Sequence, residues 1–181
     1  MARSITITGA LGSGKSTIAK LLAQKLGYTH YSTGDAQRQI AAQYNMTTLE
    51  LNQLADTDPS IDQQIDSVFH QLEETEQLYA IDSRMAWFFM PKSFKVKLTV
   101  EPKAAALRIL NDTTRSGEKK YKTIDDALEA TLNRRTSEIE RFKRTYGVDI
   151  EDPNNYDITI DTTDLTPEQV CAVILKEYNN Q

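Results

Sequence analysis

Short runs of β-branched and apolar residues alternate along the chain with longer stretches of helical periodicity. Ser4 to Thr8 is the first such run. Ile18, Leu21, Leu22 and Leu26 follow at helical spacing, and Gly27 stops that helix. Thr29 to Ser32 predicts a second strand. Residues 35–74 read as helical in about three pieces, broken near Asn45 and Asp58-Pro59. Leu78 to Ile81 predicts a buried strand ending at Asp82, and Phe94 to Val100 another. Pro102 opens a helix where its missing N–H costs nothing. Thr123-Ile124-Asp125-Asp126 starts a long helix with an N-cap hydroxyl and acids in its first turn; it runs to about Tyr146 and ends at Gly147. Tyr156 to Ile160 predicts the last strand. Thr166-Pro167-Glu168-Gln169 is a capping box with Pro at N1, and Val170, Val173, Ile174 and Tyr178 give the closing helix its apolar stripe. Strands alternating with helices predict an α/β fold: a doubly wound, five-stranded parallel sheet flanked by helices.

One stretch breaks the pattern. Asn111 to Lys122 holds Thr, Ser, Gly, Lys and Arg but little apolar content, which predicts an exposed, mobile loop, a lid over residues 111–122. The 181 residues fit one compact domain, 1–181, long enough to bury a core. No apolar run is long enough to cross a membrane. The first residues lack the apolar stretch of a signal peptide, and the single cysteine, Cys171, rules out an internal disulfide, so the cytoplasm is the expected compartment. A net charge of −5 argues against bulk binding to nucleic acid or an anionic membrane. An anionic substrate must therefore be drawn in by a local cluster of Arg and Lys.

Gly9-Ala10-Leu11-Gly12-Ser13-Gly14-Lys15-Ser16 fits the phosphate-binding pattern G-x-x-x-x-G-K-[ST] at every fixed position, between a predicted strand and an amphipathic helix. Gly9, Gly12 and Gly14 let the backbone wrap an anion and point N–H groups inward, Ser13 among them, and the helix N-terminus adds its positive dipole end. Lys15 brings a point charge to the β and γ phosphates, and Ser16 offers an oxygen to Mg²⁺. Thr17 reads first as a first-turn helix residue and only second as a further candidate on the nucleotide. The motif points to a nucleoside triphosphate and to the three-layer P-loop NTPase fold, but not to an acceptor.

The acceptor side is sought at the other strand ends. Ser32-Thr33-Gly34-Asp35 follows the second strand, with Arg38 three residues on; β–α turns of such a sheet open at the same edge as the phosphate loop. A guanidinium suits a phosphate or carboxylate, although Arg38 also reads as a solvated helix residue. Asp82 falls at a strand's C-terminal end, where a carboxylate holds Mg²⁺ or its water, and Arg84 emerges beside it; the structural alternative is an Asp–Arg pair closing a strand end. On the long helix, Leu128, Leu132, Ile139, Phe142 and Tyr146 share one face with Arg135, while Arg134, Arg141 and Arg144 lie roughly opposite. Arg134 and Arg141, two turns apart, reach one anion together or belong to a solvated basic face with Glu138 and Glu140. Arg108 and Arg115 flank the start of the polar loop, so a lid carrying arginines is expected to close over the phosphoryl group.

Together these residues resemble the nucleoside monophosphate kinases, most closely the compact, archaeal-type cytidylate kinase-like branch, over nearly the whole chain. The phosphate loop, Ser32 to Arg38, Ile81-Asp82-Ser83-Arg84, the basic lid region and Tyr156-Asp157 to Asp161-Thr162-Thr163 occur in the family's order. The resemblance implies ATP as donor with Mg²⁺ and CMP or dCMP as acceptor. It places Arg38 on the acceptor phosphate, with Gly34 and Asp35 beside it, and Asp82 and Arg84 at acceptor and metal. It puts Arg108, Arg115, Arg134 and Arg141 on the phosphoryl in flight, and Thr162 by the donor adenine. The helical segment 35–74 becomes the acceptor-binding part; Gln37, Gln39, Gln43, Asn52, Asp62 and Gln63 are its polar candidates for reading a base. Ser83 departs from the Gly common in the family. A monomer acting on small nucleotides is expected. Two rivals stand: a P-loop kinase for a small hydroxyl substrate, with Asp35 or Asp82 as base, and a non-catalytic nucleotide-binding module. His30 and His70 lack metal-ligand spacing, Cys171 reads as a buried small hydrophobe, and Trp87-Phe88-Phe89-Met90 reads as core packing.

Overall fold

The computed structural model describes residues 2–55, 57–112 and 121–180. The elements run β1 (Ile5–Gly9), α1 (Lys15–Leu26), β2 (Thr29–Ser32), α2 (Thr33–Gln43), α3 (Thr48–Ala55), α4 (Pro59–Glu74), β3 (Tyr79–Asp82), α5 (Ala86–Phe89), β4 (Phe94–Thr99), α6 (Pro102–Asn111), α7 (Ile124–Tyr146), β5 (Ile158–Asp161) and α8 (Pro167–Asn179). The strands form one parallel sheet in the order β2-β3-β1-β4-β5. Parallel neighbours need crossovers, and the helices between strands supply them, covering the sheet on both faces. Every residue of β1 is buried, as a central strand requires.

One side of the core packs Ile5, Ile7, Phe94, Val96 and Leu98 against Ile18 and Leu22 of α1 and Cys171 and Ile174 of α8. A second cluster joins Tyr79 and Ile81 of β3 to Phe69 of α4 and Met90. Trp87 and Met85 pack with Phe142 and Ile150, so the Trp87 run is largely core, with Phe88 left exposed.

Local chemistry sets the boundaries. Ser32 Oγ accepts the Asp35 N–H at the start of α2, and both expected capping boxes form, Thr123 with Asp126 and Thr166 with Gln169. The breaks at Asn45 and Asp58 separate α2, α3 and α4; Asn45 takes a positive φ of 55° and Asp58 caps α4. The register aligns the functional strand ends: Asp82 stands opposite Ile7 on one side and Ser32 on the other. The loops after β1, β2 and β3 therefore open at a single edge. Residues 113–120, the middle of the expected lid, and Arg115 with them, lie outside the described residues.

The structure corrects the expected faces of α7. The buried residues are Ala127, Thr131, Glu138, Arg141 and Phe142, while Leu132 is 47% exposed. Arg141 and Glu138 are inside the molecule, not on a solvated basic face. The charged members of the inward stripe meet acids and bases of other elements, Glu138 with Arg84 and Arg141 with Asp62, and buried charges persist only when paired in this way. The apolar face is used as well, since Phe142 is buried and Ile139 and Tyr146 pack with Met85, Trp87 and Ile150, so the helix buries more of its circumference than a hydrophobic count shows.

Candidate active site

The phosphate loop links β1 to α1. Gly12 has φ +80°, and a Cβ there would stand 2.8 Å from the Ala105 carbonyl oxygen of α6. A Cβ on Gly9 would stand 2.3 Å from the Leu98 carbonyl oxygen. Both glycines answer to close backbone approach as well as to loop curvature. Lys15, 8% exposed, donates to the Ala10 carbonyl at 3.0 Å, which folds its side chain back along the loop. Ser13 Oγ is buried without a hydrogen-bond partner among the described residues.

A cleft of about 390 Å³ opens at this edge. Gly12, Gly14, Lys15, Ser16 and Thr17 line it from the loop and α1; Gly34, Asp35 and Arg38 line it from α2; Asp82, Arg84 and Arg134 complete it. The structure thus brings together most of the residues the sequence singled out. Arg38 Nη2 pairs with Asp35 Oδ1 at 2.5 Å, and the guanidinium lies 3.6 Å from where a Cβ on Gly34 would be. That hydrogen bond holds the Asp35 carboxyl below its ordinary value. Thr33 Oγ1 donates to the Asp82 carbonyl at 3.2 Å, tying the β2 turn to the end of β3. Ser83, 4% exposed, accepts the Met85 and Ala86 N–H groups and starts α5, so its hydroxyl has a local task that Gly would leave undone.

Other candidates fall elsewhere. Arg108 donates to the carbonyls of Gly12 (3.3 Å), Thr162 (2.6 Å) and Thr163 (3.0 Å) and to Thr162 Oγ1 (3.1 Å). Its guanidinium is built into the far side of the phosphate loop, not into the cleft of Arg38 and Arg84. There it lines a second cavity of about 330 Å³ with Ser13, Thr162, Ile109, Leu165 and Val170. The two cavities share Gly12, Gly14, Thr17 and Asp112, so the loop lies between them. Gly9, the buried last residue of β1, lines neither cavity. Asn52 has no described side chain, and Gln63 is exposed.

Arg141 lines a narrow cavity of about 30 Å³ that shares Thr33, Gln37, Ser83 and Arg84 with the main cleft. It is 4% exposed, with Nε 3.6 Å from Asp62 Oδ2. Asp66 and Tyr146 complete that wall, with the Tyr146 hydroxyl donating to Asp66 Oδ2. Burial pushes the Asp66 carboxyl up to about 6, helped by the Asp62 charge and opposed by the Tyr146 hydrogen bond and by Arg141. The folded value thus lies above the ordinary 3.8. Its contribution to stability is full below about pH 4 and is lost as pH rises through about 6. Asp66→Asn is therefore expected to abolish part of the pH dependence: the unfolding free energy of the original protein minus that of the variant should fall between about pH 4 and pH 7. Urea melts across that range check it, and parallel profiles would contradict it.

Reading the sequence missed Glu138, Asp66 and Tyr146 as parts of the site. Glu138 accepts from Arg84 Nε at 2.5 Å and from Arg134 Nε at 2.9 Å. Its i,i+4 spacing from Arg134 was visible; its link to Arg84, across 54 positions, was not.

The donor set suits Mg²⁺. Ser16 and Asp82 present hard oxygen ligands on one cleft, and among the described residues no group of three or more His, Cys, Asp or Glu could hold a metal. A cation held by one or two side chains, substrate phosphates and water needs no larger protein cage.

The family model described as the cytidylate kinase-like family matches residues 4–164. The chain belongs to that family. It is 35% identical over 177 residues to a cytidylate kinase of Natronomonas pharaonis, covering 97% of this chain and 88% of the relative. It is 33% identical over 173 residues to a cytidylate kinase of Archaeoglobus fulgidus, covering 95% and 92%. Among solved structures, shikimate kinase from Bacteroides thetaiotaomicron superposes with a TM-score of 0.63 at 18% identity, covering 98% of this chain and 95% of that one. At that identity the likeness speaks for the fold, an α/β P-loop kinase fold. No helix among the described residues is long and apolar enough to cross a membrane.

Proposed function

We propose that this chain is a nucleoside monophosphate kinase that transfers the γ-phosphoryl group of ATP to CMP or dCMP. The observation that carries the reading is the convergence of Lys15, Arg38, Arg84 and Arg134 on one cleft in a protein of net charge −5. Four cations from four parts of the chain suit two phosphate-bearing substrates, a triphosphate and a monophosphate. The cytidylate kinases among the relatives support the acceptor class.

The donor phosphates lie along the loop from Gly12 to Ser16, with Lys15 on the β and γ groups, and the donor base enters the cavity lined by Thr162, Leu165 and Arg108. Arg38 releases Asp35 and takes the acceptor phosphate. An acceptor phosphate oxygen is already ionised at neutral pH, so no general base is required. Catalysis rests on alignment and on positive charge where the transferring group develops negative charge, from Lys15, Arg84 and Arg134. Ser16 and Asp82 would hold Mg²⁺, which would supply positive charge to the donor phosphates. The base of the acceptor points toward the narrow cavity. A carboxylate there, Asp62 or Asp66, accepts from the cytosine amino group, which uracil lacks, while Arg141 donates to a ring acceptor. The chain works as one domain and a monomer, in the cytoplasm.

The test is kcat/KM for the four ribonucleoside monophosphates with ATP saturating. CMP should lead, UMP follow, and AMP and GMP trail, since each unmatched buried polar group costs about 1–3 kcal/mol. Arg38→Ala should raise KM for every acceptor and lower kcat without changing their order. A preference for AMP or GMP contradicts the base assignment and leaves the kinase. Transfer to an alcohol such as shikimate, with none to any monophosphate, contradicts the reading altogether.

A further inference from the structure

Arg84 is anchored twice through its main chain. Its carbonyl accepts from Thr8 Oγ1 at 3.2 Å and from Trp87 Nε1 at 2.8 Å. Thr8 is the penultimate residue of β1, so these bonds fix the Arg84 backbone relative to the phosphate loop. What remains is the orientation of a long, flexible side chain. Glu138, 5% exposed, settles it: Oε2 accepts from Arg84 Nε and Oε1 from Arg134 Nε. The carboxylate is split between two cations from different elements, and both line the cleft with Lys15. A grip at Nε sets the plane of a guanidinium and directs its outer edge, and the shared negative charge lets two arginines stand side by side. Burial pushes the Glu138 carboxyl up, but Arg84 and Arg134 outweigh that and hold it at about 2, so it stays ionised at any working pH.

We propose that Glu138 is a positioning residue, whose buried carboxylate holds Arg84 and Arg134 in the orientation that the transferring phosphoryl group requires. The proposal rests on the kinase reading above. It separates Glu138 from an ion pair that merely supports the fold. A supporting pair would leave turnover unchanged in variants that still fold. A positioning residue acts on the transition state more than on bound substrates, so it changes kcat more than KM.

The experiment measures kcat and both KM values for Glu138→Gln and Glu138→Asp, each alone and combined with Arg84→Ala, with thermal melts confirming folding. Glu138→Gln should lower kcat by about 10²-fold and leave both KM values within about three-fold. Glu138→Asp keeps the charge one methylene short and should recover about ten-fold of that loss. In the Arg84→Ala background, Glu138→Gln should cost no more than about a tenth of what it costs alone, because residues acting through one another are not additive. Full multiplication of the two losses would overturn the proposal, as would a Glu138→Gln kcat within about three-fold of the unaltered protein. If Glu138→Gln does not fold, Glu138→Asp decides: an undiminished kcat overturns the proposal, and a reduced kcat at unchanged KM supports it. Failure of the unaltered protein to phosphorylate any monophosphate overturns the kinase reading and the proposal with it. Transfer by that protein together with an undamaged Glu138→Gln overturns the proposal alone.

Discussion

Lys15→Ala is expected to reduce kcat by about 10³-fold or more while the protein stays folded. The loop around Lys15 contributes N–H groups and a helix N-terminus, which survive the substitution, but no other side chain of the loop carries a positive charge. The lost hydrogen bond to the Ala10 carbonyl costs only about 1 kcal/mol. The effect should therefore appear in turnover, with a near-unchanged thermal melt. A folded Lys15→Ala protein with close to full activity would mean that the phosphate site has been misread.

Arg84→Ala carries the second large effect, and it should appear in two measurements at once. The side chain lines the cleft, so its loss should lower kcat by about 10²–10³-fold. It also leaves Glu138 buried with Arg134 as its remaining partner of the two. Breaking a buried pair from one side costs about 3–5 kcal/mol, and Arg134 should keep the loss near the lower end. Urea denaturation reads the stability and a coupled assay reads the turnover. Arg84→Lys should recover part of the stability but little of the rate, because an ammonium cannot reproduce a planar grip at Nε. An Arg84→Ala protein of unchanged stability would contradict the burial and pairing described here.

Much of this was legible in the chain. The phosphate loop is contiguous and its residue types follow from backbone geometry, so Gly9 to Ser16 needed no structure. Helix ends written in capping residues, such as Thr123 with Asp126 and Thr166 with Gln169, were readable for the same reason. The short helix α5 was not, since Ala86–Phe89 is one turn of apolar residues with no periodicity to show. The harder failure was α7. Beside the expected Phe142 it buries Glu138 and Arg141, whose burial depends on Arg84 and Asp62 in other elements. Periodicity reports a residue's own polarity, and cannot report a partner 54 or 79 positions away. Arg108 shows the same limit. Its place before the polar loop suggested the lid, whereas the carbonyls of Gly12, Thr162 and Thr163 hold it on the other side of the phosphate loop.

The central claim is that a phosphate oxygen of a nucleoside monophosphate receives the γ-phosphoryl group. Following ATP, Mg²⁺ and CMP with the purified protein by ³¹P NMR tests it most directly. The account predicts that the γ resonance of ATP decays as the coupled α and β resonances of CDP grow in equal amount. Release of inorganic phosphate without CDP, or a new phosphate ester on a hydroxyl group, would contradict it.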